Sequence, residues 1–385
     1  MTNPSASRLL IVVNDPAFFL SHRLPVAVAA REAGWQVHIA TAAGDAVGTI
    51  AEAGFPHHPI PLSRSGVHPL AELRSLFALW RLFRRIRPGL VHLVTAKPVL
   101  YGGIAARLAG VPAAVFAVSG LGFLVADGPG GRSALTRGFG RFLYRLAFRH
   151  RRGVAIIQHE TDRQRLDGIN ARATRGTRCI PGSGVDLDAF DPSAPQDTTP
   201  LVVLPARMLR TKGVEVFAEA GRILRARGMN VRCALVGQVD TGNPDGLDEA
   251  ALRALEDQGG VEWWGFSDDM PAVLGRAAIV CLPSFYGEGI PKTLIDAAAA
   301  GRAVVTTDWP GCRDAVVPNE SALLVPPRDA TALADALELL IADPDRRQAM
   351  GRRGRQLAEE RYGIESVVAA HLAVYRELCS VGDRS

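Results

Sequence analysis

Leu201-Val202-Val203-Leu204-Pro205-Ala206-Arg207-Met208-Leu209-Arg210-Thr211-Lys212-Gly213 reads as a strand, a loop and the mouth of a helix. Four apolar residues in a row, Leu201 to Leu204, mark a strand buried on both faces. Such strands belong to parallel sheets covered by helices. Arg207 then stands at the end of the strand and Lys212 where the helix opens, so both cations can face one anion. Gly213 lets the backbone come close. Taken alone, the two cations also read as ordinary solvated surface groups.

Outward from this stretch the same pattern recurs on both sides. Apolar strands are expected at Leu9–Val13, Val37–Ala40, Leu90–Val94, Ala113–Val118 and Val154–Ile157. Helical stretches are expected between them, at Arg23–Ala33, Leu70–Ile86, Val99–Leu108 and Ser133–His150. The pattern restarts after the polar, Pro-rich Asp186 to Pro200. Further strands are expected at Leu201–Leu204, Arg232–Val236, Glu262–Trp264, Ile279–Leu282, Ala303–Thr306 and Leu323–Val325. Apolar strands alternating with helices mean an α/β chain with parallel, doubly wound sheets. The expected organisation is two Rossmann-like domains, 1–187 and 201–363, joined by a linker at 188–200 and facing across a cleft. Residues 364–385 form a last helix expected to cross back to the first domain.

Composition agrees with a two-domain globular chain. It has 385 residues, 48% of them hydrophobic, and no apolar run of about eighteen residues that would span a membrane. Met1 to Ser7 is polar and lacks the apolar core of a secretory signal, so a cytoplasmic location is expected. Five scattered cysteines (Cys179, Cys233, Cys281, Cys312 and Cys379) without a CxxC pair argue against a disulfide framework or a zinc site. The net charge of +5 suits phosphate-bearing ligands or an anionic membrane surface. Of 44 basic residues only Lys97, Lys212 and Lys292 are lysine, a bias that genomic base composition mostly explains. All three nevertheless sit in loop or helix-start segments beside strands.

A second stretch, Glu288-Gly289-Ile290-Pro291-Lys292-Thr293-Leu294-Ile295-Asp296, follows the strand at Ile279–Leu282 and opens a helix. Its two carboxylates lie eight residues apart, one before the helix and one two turns inside. A nucleoside diphosphate sugar needs cations for its pyrophosphate, free amides at a helix start and carboxylates for its hydroxyls. A capping or dipole role for the carboxylates is the plainer alternative. The smooth run Ala297 to Ala300 indicates that this helix packs closely.

Together these stretches resemble the retaining glycosyltransferases of family four, which have the GT-B fold. Their signature is a Glu-x7-Glu motif after a strand of the C-terminal domain, with an upstream Arg and Lys. Val236-Gly237, Trp264-Gly265-Phe266, Leu282-Pro283-Ser284, Pro310-Gly311-Cys312-Arg313-Asp314 and Gly182-Ser183-Gly184-Val185-Asp186 also match. Glu288-Gly289-Ile290-Pro291 and Pro310-Gly311-Cys312 resemble the branch that elongates lipid-linked sugars for surface polysaccharides or glycans. The resemblance implies transfer of a sugar from a nucleoside diphosphate sugar, UDP-linked, to a hydroxyl of a polyprenyl-pyrophosphate-linked glycan. It also implies roles. Glu288 would contact the transferred sugar and face the reacting carbon, with Arg207 and Lys212 on the pyrophosphate. Asp296 would hold the ribose. Gly237, Gly289 and the amides around Ile290, Lys292 and Thr293 would line the donor, and main chain near Phe266 would hold the base. The nucleotide sugar is a substrate; no cofactor or metal is implied, and nothing resembles an Asp-x-Asp metal motif.

This sequence departs from the family pattern at three places. Asp296 stands where Glu is usual, and Pro291 replaces a Gly and removes one amide donor. The loop Ala117-Val118-Ser119-Gly120-Leu121-Gly122 lacks the histidine of many relatives. Ser119, His22 and Lys97 are therefore the acceptor-side candidates. Lys97 reads equally as an acceptor-phosphate ligand and as a solvated helix-start residue; for His22 and His92, beside apolar strands, the structural reading is the commoner one. The helical stretch Ser133 to Arg152 carries Arg137, Arg141, Arg145 and Arg149 at i+4 spacing, with aromatics between. It reads either as a surface helix or as a peripheral contact with the inner membrane. No nucleic-acid recognition motif is present. Two other functions fit less well: a GT-B sugar-nucleotide epimerase, and a non-catalytic two-domain sugar binder.

Overall fold

The computed structural model of the chain describes residues 8–62, 69–118, 134–194, 196–240, 242–285 and 289–380. They form two compact units. One runs to Ser183 and takes back the chain from Glu365; the other is Gly184–Ile364.

The first unit begins with β1 (Arg8–Val12), α1 (Pro16–His22), α2 (Leu24–Glu32), β2 (Gln36–Thr41), α3 (Val47–Glu52) and β3 (His57–Pro59). It continues with α4 (Pro69–Ile86), β4 (Leu90–Val94), a π-helical turn (Pro98–Gly102), α5 (Gly103–Ala109) and β5 (Ala113–Val118). α6 (Ala134–Phe148), β6 (Gly153–Ile157), α7 (Glu160–Gly168) and β7 (Thr177–Cys179) complete the run. Among the described residues the sheet is parallel, in the order β3-β2-β1-β4-β5-β6-β7. β4, β5 and β6 are buried at every position, which is why, apart from His92, they are apolar runs. One face is covered by α4 to α6, where Phe116 stacks on Phe148 with centroids 4.6 Å apart.

The second unit holds β8 (Leu201–Pro205), a 3₁₀ turn (Arg210–Lys212), α8 (Val214–Ala226), β9 (Arg232–Val236), α9 (Glu249–Asp257) and β10 (Glu262–Trp263). α10 (Met270–Arg276), β11 (Ile279–Leu282), α11 (Lys292–Ala299), β12 (Ala303–Thr307), β13 (Ala322–Val325), α12 (Ala330–Ala342) and α13 (Pro344–Arg361) follow. Its described strands run parallel in the order β10-β9-β8-β11-β12-β13. The winding reverses at β8, which has β9 on one side and β11 on the other. Ligands of such sheets bind at the carboxyl ends of the strands flanking that reversal. Asp186–Pro200 packs on this unit: Phe190 enters its core, and Asp197 pairs with Arg232 and Arg276, each at 3.1 Å.

α14 (Ile364–Ser380) returns to the first unit. Val367, His371, Val374, Tyr375 and Leu378 fall on one stripe and are buried there. Each apolar member contributes roughly 1.5–3 kcal/mol by leaving water. The sequence reading differs at local points. The helix expected at Arg23–Ala33 begins at Leu24, after a separate α1. Pro25 has no N–H to continue the earlier helix but is tolerated in a first turn. The three-residue edge strands β3 and β7 were not expected. No helix among the described residues is long and apolar enough to cross a membrane.

Candidate active site

The two stretches singled out in the sequence meet at the carboxyl ends of β8 and β11. Gly213 makes this approach: its φ is 80°, and a Cβ there would lie 2.3 Å from the carbonyl oxygen of Pro283. Both the left-handed backbone and the close contact require glycine. Beside it, the amide of Phe285 donates to the carbonyl of Thr211 at 3.0 Å, and the hydroxyl of Ser284 donates to the same oxygen at 3.2 Å. From α11, the hydroxyl of Thr293 donates to the carbonyl of Pro205 at 2.7 Å. The Arg207–Lys212 loop is thus fastened to the segment after β11, and the start of α11 to the end of β8, through backbone acceptors. Glu288, with Tyr286 and Gly287, lies outside the described residues.

The loop after β9 builds the floor. Asp245 accepts the amide of Thr211 at 2.9 Å and also its hydroxyl, and the amide of Arg210 donates to the Asp245 carbonyl at 3.0 Å. The 3₁₀ turn that carries Lys212 is therefore held by one aspartate. Arg207 is half exposed, and its Nη1 lies 2.8 Å from Oδ2 of the nearly buried Asp240. Gly237 lies at the end of β9 against the neighbouring loop; a Cβ on it would come within 1.8 Å of the carbonyl of Ala206. Its amide donates to Gly265 at 2.7 Å, and its carbonyl accepts the indole N–H of Trp263 at 3.0 Å. Phe266, next in line, is 67% exposed.

In α11, Lys292 Nζ donates to Asp296 Oδ1 at 2.7 Å, one turn along the helix. Asp296 is buried, and burial raises its pKa while Lys292 opposes the shift. The helix starts at Pro291 without a side-chain cap, which leaves first-turn amides open to an acceptor. Ile290 is buried under it. Sequence reasoning missed Asp240 and Asp245, which sit in an ordinary-looking turn, and Arg328, whose guanidinium lies 4.4 Å from the ring centroid of Phe285.

The acceptor-side candidates lie in the first unit and fare unevenly. Lys97 Nζ pairs with Glu72 Oε1 at 2.7 Å, both side chains largely shielded. Glu72 also takes a hydrogen bond from Tyr101, whose pKa is raised by burial and then by Glu72. Lys97 is thus part of the packing between α4 and the π-helical turn, not a solvated residue. His22 is half-buried, stacks on Phe18 at 4.0 Å and has Nδ1 2.7 Å from the Ser21 hydroxyl. His92 is a core residue of β4, with Nδ1 2.6 Å from the hydroxyl of Tyr375. Ser119 lies outside the described residues. On α6, Arg141 and Arg149 are exposed, Arg145 donates Nε to Ile169 at 2.6 Å, and the side chain of Arg137 is not among those described.

Residues 8–159 match the family model described as glycosyl transferase 4-like, and residues 199–343 match the model described as glycosyl transferases group 1. This chain belongs to the family-four glycosyltransferases. A relative of this glycosyltransferase in Campylobacter jejuni is N,N'-diacetylbacillosaminyl-diphospho-undecaprenol alpha-1,3-N-acetylgalactosaminyltransferase. The two are 25% identical, over 93% of this chain and 97% of that one. The capsular polysaccharide biosynthesis glycosyltransferase CapM of Staphylococcus aureus is 24% identical, over 80% of this chain and 82% of that protein. Among solved structures, HepE of Anabaena in complex with UDP-glucose superposes with a TM-score of 0.76 at 18% identity, covering 95% of this glycosyltransferase and 99% of HepE. The fold is GT-B, with two Rossmann-like domains.

Proposed function

We propose that this glycosyltransferase moves a sugar from a UDP-linked donor to a hydroxyl of a polyprenyl-pyrophosphate-linked glycan, with retention of anomeric configuration, in surface polysaccharide or glycan assembly. The observation that carries this reading is the fastening of the Arg207–Lys212 loop to the end of β11, and of the start of α11 to the end of β8, at the reversal point of the second sheet. Arg207 and Lys212 receive the pyrophosphate there, and the first amides of α11 add donors to it. Lys292 occupies Oδ1 of Asp296, which leaves Oδ2 for the ribose hydroxyls. Gly237 and the main chain near Phe266 border the base. Glu288 serves the sugar.

In the reaction, the bond between the anomeric carbon and the pyrophosphate oxygen breaks and its electron pair leaves with UDP. The acceptor hydroxyl bonds to that carbon on the same face and gives up its proton to the departing phosphate oxygen. Negative charge grows on the departing oxygen, and fixed cations stabilise that change more than the ground state. These two cations take the part a metal ion would otherwise play. The undecaprenol-linked substrate in the Campylobacter relative's name and the UDP-glucose in HepE support the acceptor and donor classes. A lipid-linked acceptor places the enzyme in the cytoplasm, at the inner membrane surface.

The test is transfer from a panel of labelled nucleotide sugars to lipid-pyrophosphate acceptors, with the product anomer read by NMR. UDP-sugar turnover with retained configuration is expected. An inverted product, or hydrolysis and epimerisation without transfer, would overturn the reading.

A further inference from the structure

The second unit has a hollow of about 860 Å³ apart from the donor site. Ala278 and Ala303 line it, which places it at the amino ends of β11 and β12. Arg207, Lys212 and the start of α11 lie at the carboxyl ends of β8 and β11, the other end of the same sheet. The first half of α13 and the chain around Pro192 form the walls.

These walls are built into the packing. A Cβ on Gly351 of α13 would lie 2.1 Å from the carbonyl oxygen of Gly301, and Gly301 has a φ of 64°. Arg355 Nη1 donates to the carbonyls of Leu187, Phe190 and Ala299 at 3.2, 3.0 and 2.7 Å, and its Nε donates to Glu359 at 2.7 Å. That arginine is neutralised and holds α13 in place.

Three other arginines on the lining, Arg302, Arg347 and Arg352, make no ion pair with a carboxylate among the described residues. Arg353, also on α13, pairs with Glu320 at 3.1 Å and with Glu360 at 3.4 Å. Arg302 is buried. Its Nε and Nη2 donate to the carbonyls of Leu274, Ala194 and Gly275 at 2.9, 3.0 and 2.8 Å, and Nη1 makes no hydrogen bond among the described residues. Arg347 Nη1 donates to Leu340 at 2.8 Å and to Ile341 at 3.4 Å, which leaves Nε and Nη2. Arg352 is exposed. Burial lowers the pKa of Arg302 and of Arg347, opposed by Asp191 and Asp343 respectively. Asp345 is the one acid on the lining.

Neutral carbonyls hold these guanidinium groups in position without offsetting their charge, and cations of one sign repel each other. An anion in the hollow corrects both. The fork of each arginine fits two phosphate oxygens, and three such groups call for several charges on one ligand. A chain of phosphates supplies the charge and the oxygens together. No exposed large apolar side chain among the described residues lines the hollow for a lipid to enter beside, and no aromatic ring stands on the lining for a nucleic-acid base.

We propose that this hollow is a second anion site, which binds a small free oligophosphate, a di- or triphosphate, through Arg302, Arg347 and Arg352. It works independently of the donor site and does not rest on the proposed function.

Calorimetric titration of the full chain with inorganic tripolyphosphate, at fixed ionic strength, tests it. Arg207→Ala with Lys212→Ala disables the donor site, and that variant still binds one tripolyphosphate per chain. Adding Arg347→Gln and Arg352→Gln weakens this binding by about thirtyfold. Arg347 also ties the end of α12, so Arg352→Glu is measured beside it, at a side chain with no hydrogen bond among the described residues. It keeps the wild-type Tm and loses about tenfold in affinity. Arg346→Gln with Arg361→Gln removes two charges from α13 outside the hollow and leaves binding within twofold. The proposal falls if the donor-disabled variant binds no tripolyphosphate, if Arg352→Glu binds within twofold of wild type, or if the Arg346/Arg361 control loses as much. It also falls if sulfate competes as well as tripolyphosphate, since the arginines would then attract any anion alike. A failure of sugar transfer, with tripolyphosphate binding intact, would instead count against the proposed function alone.

Discussion

Arg207 and Asp240 form an ion pair at 2.8 Å, between a half-exposed guanidinium and a carboxylate almost shielded from solvent. The arginine that faces the donor pyrophosphate in the proposed reaction thus already holds an anion. A carboxylate and a pyrophosphate compete for one cation when both are within reach.

Replacing the two partners should therefore move donor affinity in opposite directions. Arg207→Ala removes charge-assisted bonds of about 1.5–3 kcal/mol, and UDP binding weakens by one to two orders of magnitude. Asp240→Asn removes only the competitor, and UDP binding tightens by about threefold, the scale of an exposed ion pair. Calorimetric titration with UDP reads both. Weakening by Asp240→Asn as deep as that of Arg207→Ala would show that the carboxylate positions the arginine instead of competing for it.

Asp245 touches no part of the proposed donor, yet it holds the turn that carries Lys212 through the amide and hydroxyl of Thr211. Asp245→Asn and Thr211→Val should each raise KM for the donor several-fold with a smaller change in kcat. They share the hydroxyl contact, so the loss in the double variant should be smaller than the sum of the two single losses. Additive losses would mean that the two residues work separately. Lys212→Ala should abolish the sensitivity to both.

The architecture was legible where burial is complete. Leu201–Leu204 and Ala113–Val118 are apolar without a break, and Leu90–Val94 is interrupted only by the buried His92, because both faces of each strand are covered, and the alternation with helices implies the parallel sheets. β3 and β7 were not legible: three residues at a sheet edge, His57–Pro59 and Thr177–Cys179, carry no periodic signal. In the site, Arg207, Lys212 and Thr293 could be found because each sits at a strand or helix end. Asp240 and Asp245 could not, because their partners are 33 and 34 residues away and their own loop reads as plain turn chemistry. Leu70, Leu73 and Phe77 look like a core stripe in the sequence; only the fold shows that the core lies under the other side of α4.

Glu288 should matter for turnover far more than for nucleotide affinity, since its partner in the proposed reaction is the transferred sugar. Glu288→Gln keeps the shape and removes the charge. The expected result is a loss of transfer of at least about a hundredfold, the low end for removal of a preorganised electrostatic group, with UDP affinity near wild type. Initial rates with saturating donor, beside a UDP titration, separate the two. Wild-type rates in this variant would remove Glu288 from the reaction.

The return of α14 to the first unit should make stability sensitive to acid. His371 lies on its buried stripe, His92 on β4, and their rings are 5.7 Å apart. Arg23, also buried, adds a charge nearby. Burial first, and then Arg23, pushes the pKa of His371 down to about 3. Burial, then His371 and Arg23, holds His92 well below the ordinary value. Nε2 of each ring has no partner among the described residues, so a proton there would be stranded. Both folded-state values lie below the unfolded one, so the unfolded chain binds more protons between the two. Stability is then complete above about pH 6.5 and falls as pH drops through the window toward 3, by up to about 1.4 kcal/mol per unit for each ring. Urea midpoints at pH 7.5, 6 and 5 give the slope. His371→Gln should lower stability at pH 7.5 by removing a packed ring, and should also flatten the slope between pH 6 and 5 by about half if the two rings dominate it. An unchanged slope in that variant would show that the acid sensitivity arises elsewhere, such as the His38–His58 pair at 3.0 Å between β2 and the edge strand β3.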